Sequence, residues 1–135
     1  YLAVSALRAL EGRIYVPNGL ANAMYAMGHY PFYWAPPNGY PDAVGYWSGN
    51  LLPRWRLGSL FFNEQVGLRI SVSDIMEAGS AEEKVAAINQ KLFFGQLTGQ
   101  EQDELLAFLS VDPDNQARVE ETVALALGAP SFQWF

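Results

Sequence analysis

Ser80-Ala81-Glu82-Glu83 and Thr98-Gly99-Gln100-Glu101 each place a hydroxyl residue three positions ahead of a glutamate. In that arrangement the hydroxyl oxygen accepts the amide of the third helical residue. The glutamate reaches back to the amide of the capping residue, so two orphan donors are satisfied locally. Few short patterns commit a chain so firmly to starting a helix. Behind the first come Val85, Ile88 and Leu92, and Gly95 closes the run. Behind the second come Leu105, Leu106, Phe108 and Leu109. Asp112-Pro113 reads as a cap and first-turn proline for a third helix, whose Val119, Thr122, Val123, Ala126 and Leu127 recur at i, i+3, i+4, i+7 and i+8. Gly128 and Pro130 stop it. Residues 80–128 thus read as a three-helix segment, with helices over 81–94, 99–109 and 114–127.

The upstream chain is also helical in pattern. Val4, Leu7 and Leu10 mark a helix over 1–11 that Gly12 ends, and Pro17-Asn18-Gly19 reads as a turn. A short helix over 20–28 carries Ala21, Ala23 and Met24 and stops at Gly28. Another spans 50–63, with Pro53 tolerated in its first turn. Its Leu51, Leu52, Trp55 and Leu60 are expected to face inward. Leu68-Arg69-Ile70-Ser71-Val72 alternates as a strand does, yet no second strand offers it a partner. The expected fold is all-α: an irregular bundle of about six helices.

Between these helices lies a stretch of a different kind. His29 to Trp47 holds Pro31, Pro36, Pro37 and Pro41, with Gly39 and Gly45. Prolines at this density remove amide donors and fix φ, so neither helix nor central strand forms. The same stretch carries Phe32, Tyr33, Trp34, Tyr40, Tyr46 and Trp47. Polar loops have no use for so many rings. Residues 30–47 are therefore expected to form a long, ordered, largely buried loop.

Half of the residues are hydrophobic and only 16% are charged, below the roughly 25% of ordinary soluble domains. Some apolar surface is thus expected to meet a partner or another part of the polypeptide. The 8 basic and 14 acidic residues give a net charge of −6. No cationic cluster is present to contact phosphates, which argues against nucleic acid as a partner. Anionic membrane surfaces are disfavoured for the same reason, and no apolar run is long enough to span a bilayer. With no cysteines, disulfides and thiolate metal sites are excluded. The chain opens at Tyr1 inside an apolar helical pattern, without Met, cap or signal-peptide start. It is expected to be the C-terminal helical part of a larger protein, possessing one domain's worth of residues, 1–135.

Several blocks together carry a resemblance. They are Met27-Gly28-His29-Tyr30-Pro31-Phe32, Pro36-Pro37-Asn38-Gly39-Tyr40-Pro41 with Trp47, and Leu51-Leu52-Pro53-Arg54. Further on come Leu92-Phe93-Phe94-Gly95-Gln96-Leu97-Thr98 and Ala129-Pro130-Ser131-Phe132-Gln133-Trp134. In these blocks the chain resembles the C-terminal part of the bacterial family called domain of unknown function 1800. It departs from the family pattern at His29 and Tyr40, where members often carry Gln and Trp. The resemblance implies a mostly helical, often exported protein, periplasmic or extracellular. It also implies an N-terminal part packed against this one. It assigns no catalytic residue.

The candidate ligand or partner contacts are His29, Tyr33, Trp34, Tyr40, Asp42, Trp47 and Arg54. His29 is the lone histidine and follows a helix stop, where it suits a general base, a metal ligand or a cap-like hydrogen bond at the loop entry. Tyr33, Trp34 and Tyr40 could offer a stacking platform for a sugar or polymer, or stack among the prolines. Asp42 and Arg54 could pin the loop to the next helix. Glu82, Glu83, Glu101, Glu120 and Glu121 fall in first turns or on outer faces, where solvated carboxylates complement the macrodipole. No phosphate loop, nucleophile elbow or zinc-binding histidine pair occurs, and no cofactor is implied. Two readings follow. One is a structural or binding module whose partner is the N-terminal part of the same polypeptide or another protein chain, with oligomer formation open. The other is the non-catalytic wall of a polymer- or carbohydrate-directed enzyme whose catalytic residues lie upstream.

Overall fold

A computed structural model describes residues 2–28, 39, 43, 45, 49, 51–63 and 67–133. Among them are eight helices and one two-stranded ladder. The all-α expectation therefore holds. The expectation of a buried, ordered loop over 30–47 falls almost wholly outside the described residues.

Helix α1 runs Leu2–Ala9. Its inward stripe is Ala3, Ala6, Leu7 and Leu10, while Val4, expected inside, is 44% exposed. Two alanines on the stripe let the helix lie close to its neighbour, and the larger Val4 is turned out. The chain then reverses through Glu11, whose φ of 52° is left-handed, and Gly12. A Cβ on Gly12 would stand 2.5 Å from Leu7 Cδ2, so the Leu7 side chain would have to shift to admit one.

Strand β1, Arg13–Ile14, follows and pairs antiparallel with β2, Leu68–Arg69. The register sets Arg13 opposite Arg69 and Ile14 opposite Leu68. The amides of Tyr15 and Val16 extend the ladder by donating to Gly67 O at 2.8 and 3.2 Å. The alternating stretch at 68–72 thus has a partner after all. That partner lies far upstream and is too short to show a period of its own.

Helix α2 spans Pro17–Ala26, starting three residues earlier than the turn reading of Pro17-Asn18-Gly19 allowed. Proline is well placed at a first helical position, where its missing amide is not needed. The helix closes at Met27, and Gly28 follows with φ 72°, as expected of a stop.

Helix α3, Leu51–Phe61, corrects the expected inward face. Leu57, Gly58 and Phe61 are buried, whereas Leu52 and Trp55 are each 54% exposed. The reason lies in Gly58. A Cβ there would stand 2.4 Å from the carbonyl oxygen of Ala124, so the two backbones touch where no side chain intervenes. The closest approach selects the face, and the bulk of Leu52 and Trp55 goes elsewhere.

A short helix α4, Ser73–Met76, leads into α5, Ala81–Phe93. Both expected capping boxes form. Ser80 Oγ accepts the Glu83 amide at 3.2 Å, and the Glu83 carboxylate accepts the amides of Gly79 and Ser80. Helix α5 ends on Phe94 in left-handed geometry, followed by Gly95 with φ 81°. Helix α6, Gly99–Leu109, opens on Thr98 in the same way.

Helix α7, Gln116–Gly128, begins later than expected, capped by Asn115 rather than Asp112. Asn115 Oδ1 accepts the Ala117 amide at 3.0 Å. Pro113 lies outside the helix, and its carbonyl accepts from the Lys84 ammonium at 2.8 Å. Finally, Pro130 opens a short helix α8, Pro130–Gln133, instead of only stopping α7. The core has a simple plan. Helices α5, α6 and α7 pack on one another, α3 crosses α7, α1 and α4 rest on α5, and α2 rests on α3. Helix α8 closes one end, where Phe132 meets Phe93 edge-on at 5.7 Å.

Candidate functional site

His29, Tyr33, Trp34, Tyr40, Asp42 and Trp47 lie outside the described residues. Arg54 sits half-buried in the first turn of α3. Two other places on the described surface gather polar chemistry or apolar surface that sequence reasoning did not single out.

The first is the junction of α6 with α8. The capping glutamate Glu101 is shared between two tasks. Its carboxylate accepts the Thr98 amide at 3.1 Å and the Thr98 hydroxyl at 2.6 Å. It also accepts the Ser131 amide at 3.0 Å and the Ser131 hydroxyl at 2.6 Å. Burial alone would push the Glu101 carboxyl up, but the hydrogen bonds from Ser131 and Thr98 outweigh it and hold the group at about 2. A carboxylate held that far below its ordinary value is a weak proton acceptor, poorly matched to activating the Ser131 hydroxyl. Its role is to tie α8 to the start of α6. Glu101 is thus half-buried and committed, not solvated on an outer face as expected. Beside it a cavity of about 260 Å³ is lined by Glu104, Leu105, Leu125 and Pro130, among others.

The second place is the outer side of α1 and β1. Val4, Leu7, Ile14 and Leu20 line a groove of about 510 Å³, with Arg8, Glu11 and Arg13 at its rim. Tyr15 and Val16, next along the chain, are 59% and 51% exposed. Arg69 Cζ stands 5.6 Å from the Tyr15 ring centroid, a cation–π contact that holds one guanidinium over the ladder. Behind the rim, Lys91 bonds Asp74 and stands 3.9 Å from Glu11. The Lys91 hydrogen bond holds the Asp74 carboxyl below its ordinary value.

Lys84 is a third polar feature, 1% exposed on the inward stripe of α5. Its ammonium donates to Pro113 O at 2.8 Å and to Asp114 Oδ1 at 3.0 Å. A signal for it existed, because Lys84 shares the spacing of Ala81, Val85, Ile88 and Leu92. A cation at such a position needs a tethering acceptor. No such signal announced Ser131, which meets Glu101 only through tertiary folding.

Among the described residues, no group of three or more His, Cys, Asp or Glu side chains could hold a metal ion. No helix there is long and apolar enough to cross a membrane.

The arrangement is that of an all-α helical bundle with a half-exposed apolar groove and no assembled catalytic group among the described residues. The family model described as "Protein of unknown function (DUF1800)" matches residues 1–134, and the chain belongs to that family. No curated protein and no solved structure matches it.

Proposed function

We propose that this chain is a docking module, which binds a further polypeptide segment through the outer side of α1 and β1. One observation carries the reading. Val4, Ile14, Tyr15 and Val16 are each between 44% and 59% exposed, and two of them line one groove with Leu7 and Leu20. Single exposed apolar residues need no explanation, but apolar residues gathered around one concavity suit a contact surface. The low charge content of the chain supports the same reading. Export to the periplasm or cell exterior is part of the proposal and rests on the family resemblance.

Size-exclusion of the polypeptide 1–135 expressed alone tests it. With its contact surface open, the wild-type segment is expected to self-associate. Carrying Ile14→Glu together with Val16→Glu, it is expected to elute as a monomer with its helical content unchanged. A wild-type segment that is a clean monomer with a cooperative melt would overturn the reading.

A further inference from the structure

We infer that α8 is a hinged clasp, opening as a unit at Ala129–Pro130 while the bundle of α5, α6 and α7 stays folded. The Glu101 carboxylate is the latch that holds it shut. The hinge lies in the backbone. Helix α7 ends at Ala129, which is extended with φ −63° and ψ 145°, as a residue before proline prefers. Pro130 has no amide to carry a helical hydrogen bond across the junction. The amides of Phe132 and Gln133 both donate to Ala129 O, at 3.0 and 3.1 Å. These bonds turn back on the hinge and do not reach the body of α7. A single turn of four residues does not hold itself as a helix, so α8 depends on what it docks against.

Ser131, Phe132 and Gln133 each tie it to the bundle. Ser131 donates its amide at 3.0 Å and its hydroxyl at 2.6 Å to Glu101. Phe132 is buried, with its ring edge-on to Phe93. Gln133 Nε2 donates to Leu127 O at 2.7 Å, but its Oε1 is buried without a donor among the described residues. An unmet buried acceptor costs as much as one ordinary hydrogen bond gains, so Gln133 adds little to closure. Among the described residues, the polar hold therefore falls on Glu101, whose bonds from Ser131 are charge-assisted and stronger than neutral ones. Thr98 keeps that carboxylate in place from within α6, so the latch stands ready whether or not α8 is docked. Opening lifts Phe132 off Phe93 and frees Leu127 O. It leaves Ile88, Leu109, Val119 and Val123 in their core, since α8 supplies none of them. The end of the bundle can thus bare an apolar face without unfolding.

Native-state hydrogen exchange of the protein in rising, sub-denaturing urea tests the clasp. Local opening exposes little surface and is nearly indifferent to urea, whereas global opening steepens with it. The amides of Phe132 and Gln133 are expected to exchange at a rate that is flat in urea, while those of Val119 and Val123 accelerate. Ser131→Ala removes one latch bond and leaves the Thr98 cap, and is expected to raise the flat rate about tenfold. Glu101→Gln is expected to raise it at least as much. Thr98→Ala loses the cap but keeps the latch bonds from Ser131. It is expected to speed exchange in the first turn of α6 while leaving the flat rate within about twofold. Exchange at Phe132 and Gln133 that rises with urea in parallel with Val119 and Val123 would show that α8 opens only with the core, which overturns the clasp. A flat rate that Ser131→Ala leaves unchanged overturns Glu101 as its latch. Should Glu101→Gln fail to fold, the urea dependence of the wild type and the Ser131→Ala rate still decide.

Discussion

Four donors converge on the carboxylate of Glu101, two from Thr98 and two from Ser131. Hydrogen bonds to a charged acceptor are each worth more than neutral ones, about 1.5–3 kcal/mol against about 1. Glu101→Gln keeps the shape but loses the charge and presents an amide hydrogen where an acceptor is needed. It is expected to destabilise by about 1–2 kcal/mol in chemical denaturation. The pH dependence has a definite sign. The folded-state value of about 2 lies below the unfolded 4.5, so the stabilisation is present above the unfolded value and is lost as pH falls from about 4.5 towards 2. Wild-type stability should drop through that acid window more than that of Glu101→Gln, and parallel curves for the two would remove Glu101 from the role. Lys84 makes a contrasting case. Its partner Asp114 is 87% exposed in its side chain, so deleting the cation strands no buried charge. Lys84→Met, similar in reach and apolar, is expected to change stability by less than about 1 kcal/mol. Lys84→Ala opens a cavity and is expected to cost about 2–4 kcal/mol. Equal losses in the two variants would mean that the ammonium, not the stem, carries the interaction.

At the scale of the element, Gly58 decides how α3 meets α7. Alanine at an exposed helical position would gain about 1 kcal/mol over glycine. Here the added Cβ would meet backbone atoms of Ala124 at 2.4–3.1 Å, and backbone cannot swing aside as a side-chain tip can. The clash is the larger effect, so Gly58→Ala is expected to lose about 1–3 kcal/mol net and to lower the melting temperature. A stabilised variant would show that the two helices can part without penalty. The same glycine explains what could be read in advance and what could not. Capping boxes act over three residues, so the starts of α5 and α6 were legible at Ser80 and Thr98. The inward face of α3 was not, because it depends on which residue of a distant helix comes closest. The Arg13–Ile14 strand escaped notice for a similar reason, since it is supported by pairing with the distant Leu68–Arg69. At the candidate site, the exposure of Val4 is likewise a product of tertiary packing. The sequence's own candidates, apart from Arg54, fall outside the described residues.

On the scale of the whole molecule, packing is unevenly distributed. Ile88, Leu109, Val119, Val123 and Ala126 are fully buried where α5, α6 and α7 meet, and Phe61 of α3 is 1% exposed beside them. At the other end, α1 has an open outer side, and among the described side chains of α2 only Ala23 is buried before Met27 closes it. The ladder between them rests on two residue pairs with arginines opposed. Amides in the central helices can therefore exchange with solvent only when the entire core opens, while those of α2, Tyr15 and Val16 can exchange by local opening at lower free energy. Hydrogen-exchange mass spectrometry of the polypeptide 1–135 is expected to show the slowest exchange over α5 and α7 and markedly faster exchange over residues 13–26. Occupation of the groove binds the folded form of that end alone, so it must raise protection there by mass action. With the groove occupied, residues 2–20 should accordingly exchange more slowly than with it free, while α7 changes little. Uniform protection along the isolated segment would show that the α1–β1 end needs no partner to complete it, and the docking reading would lose its physical motive.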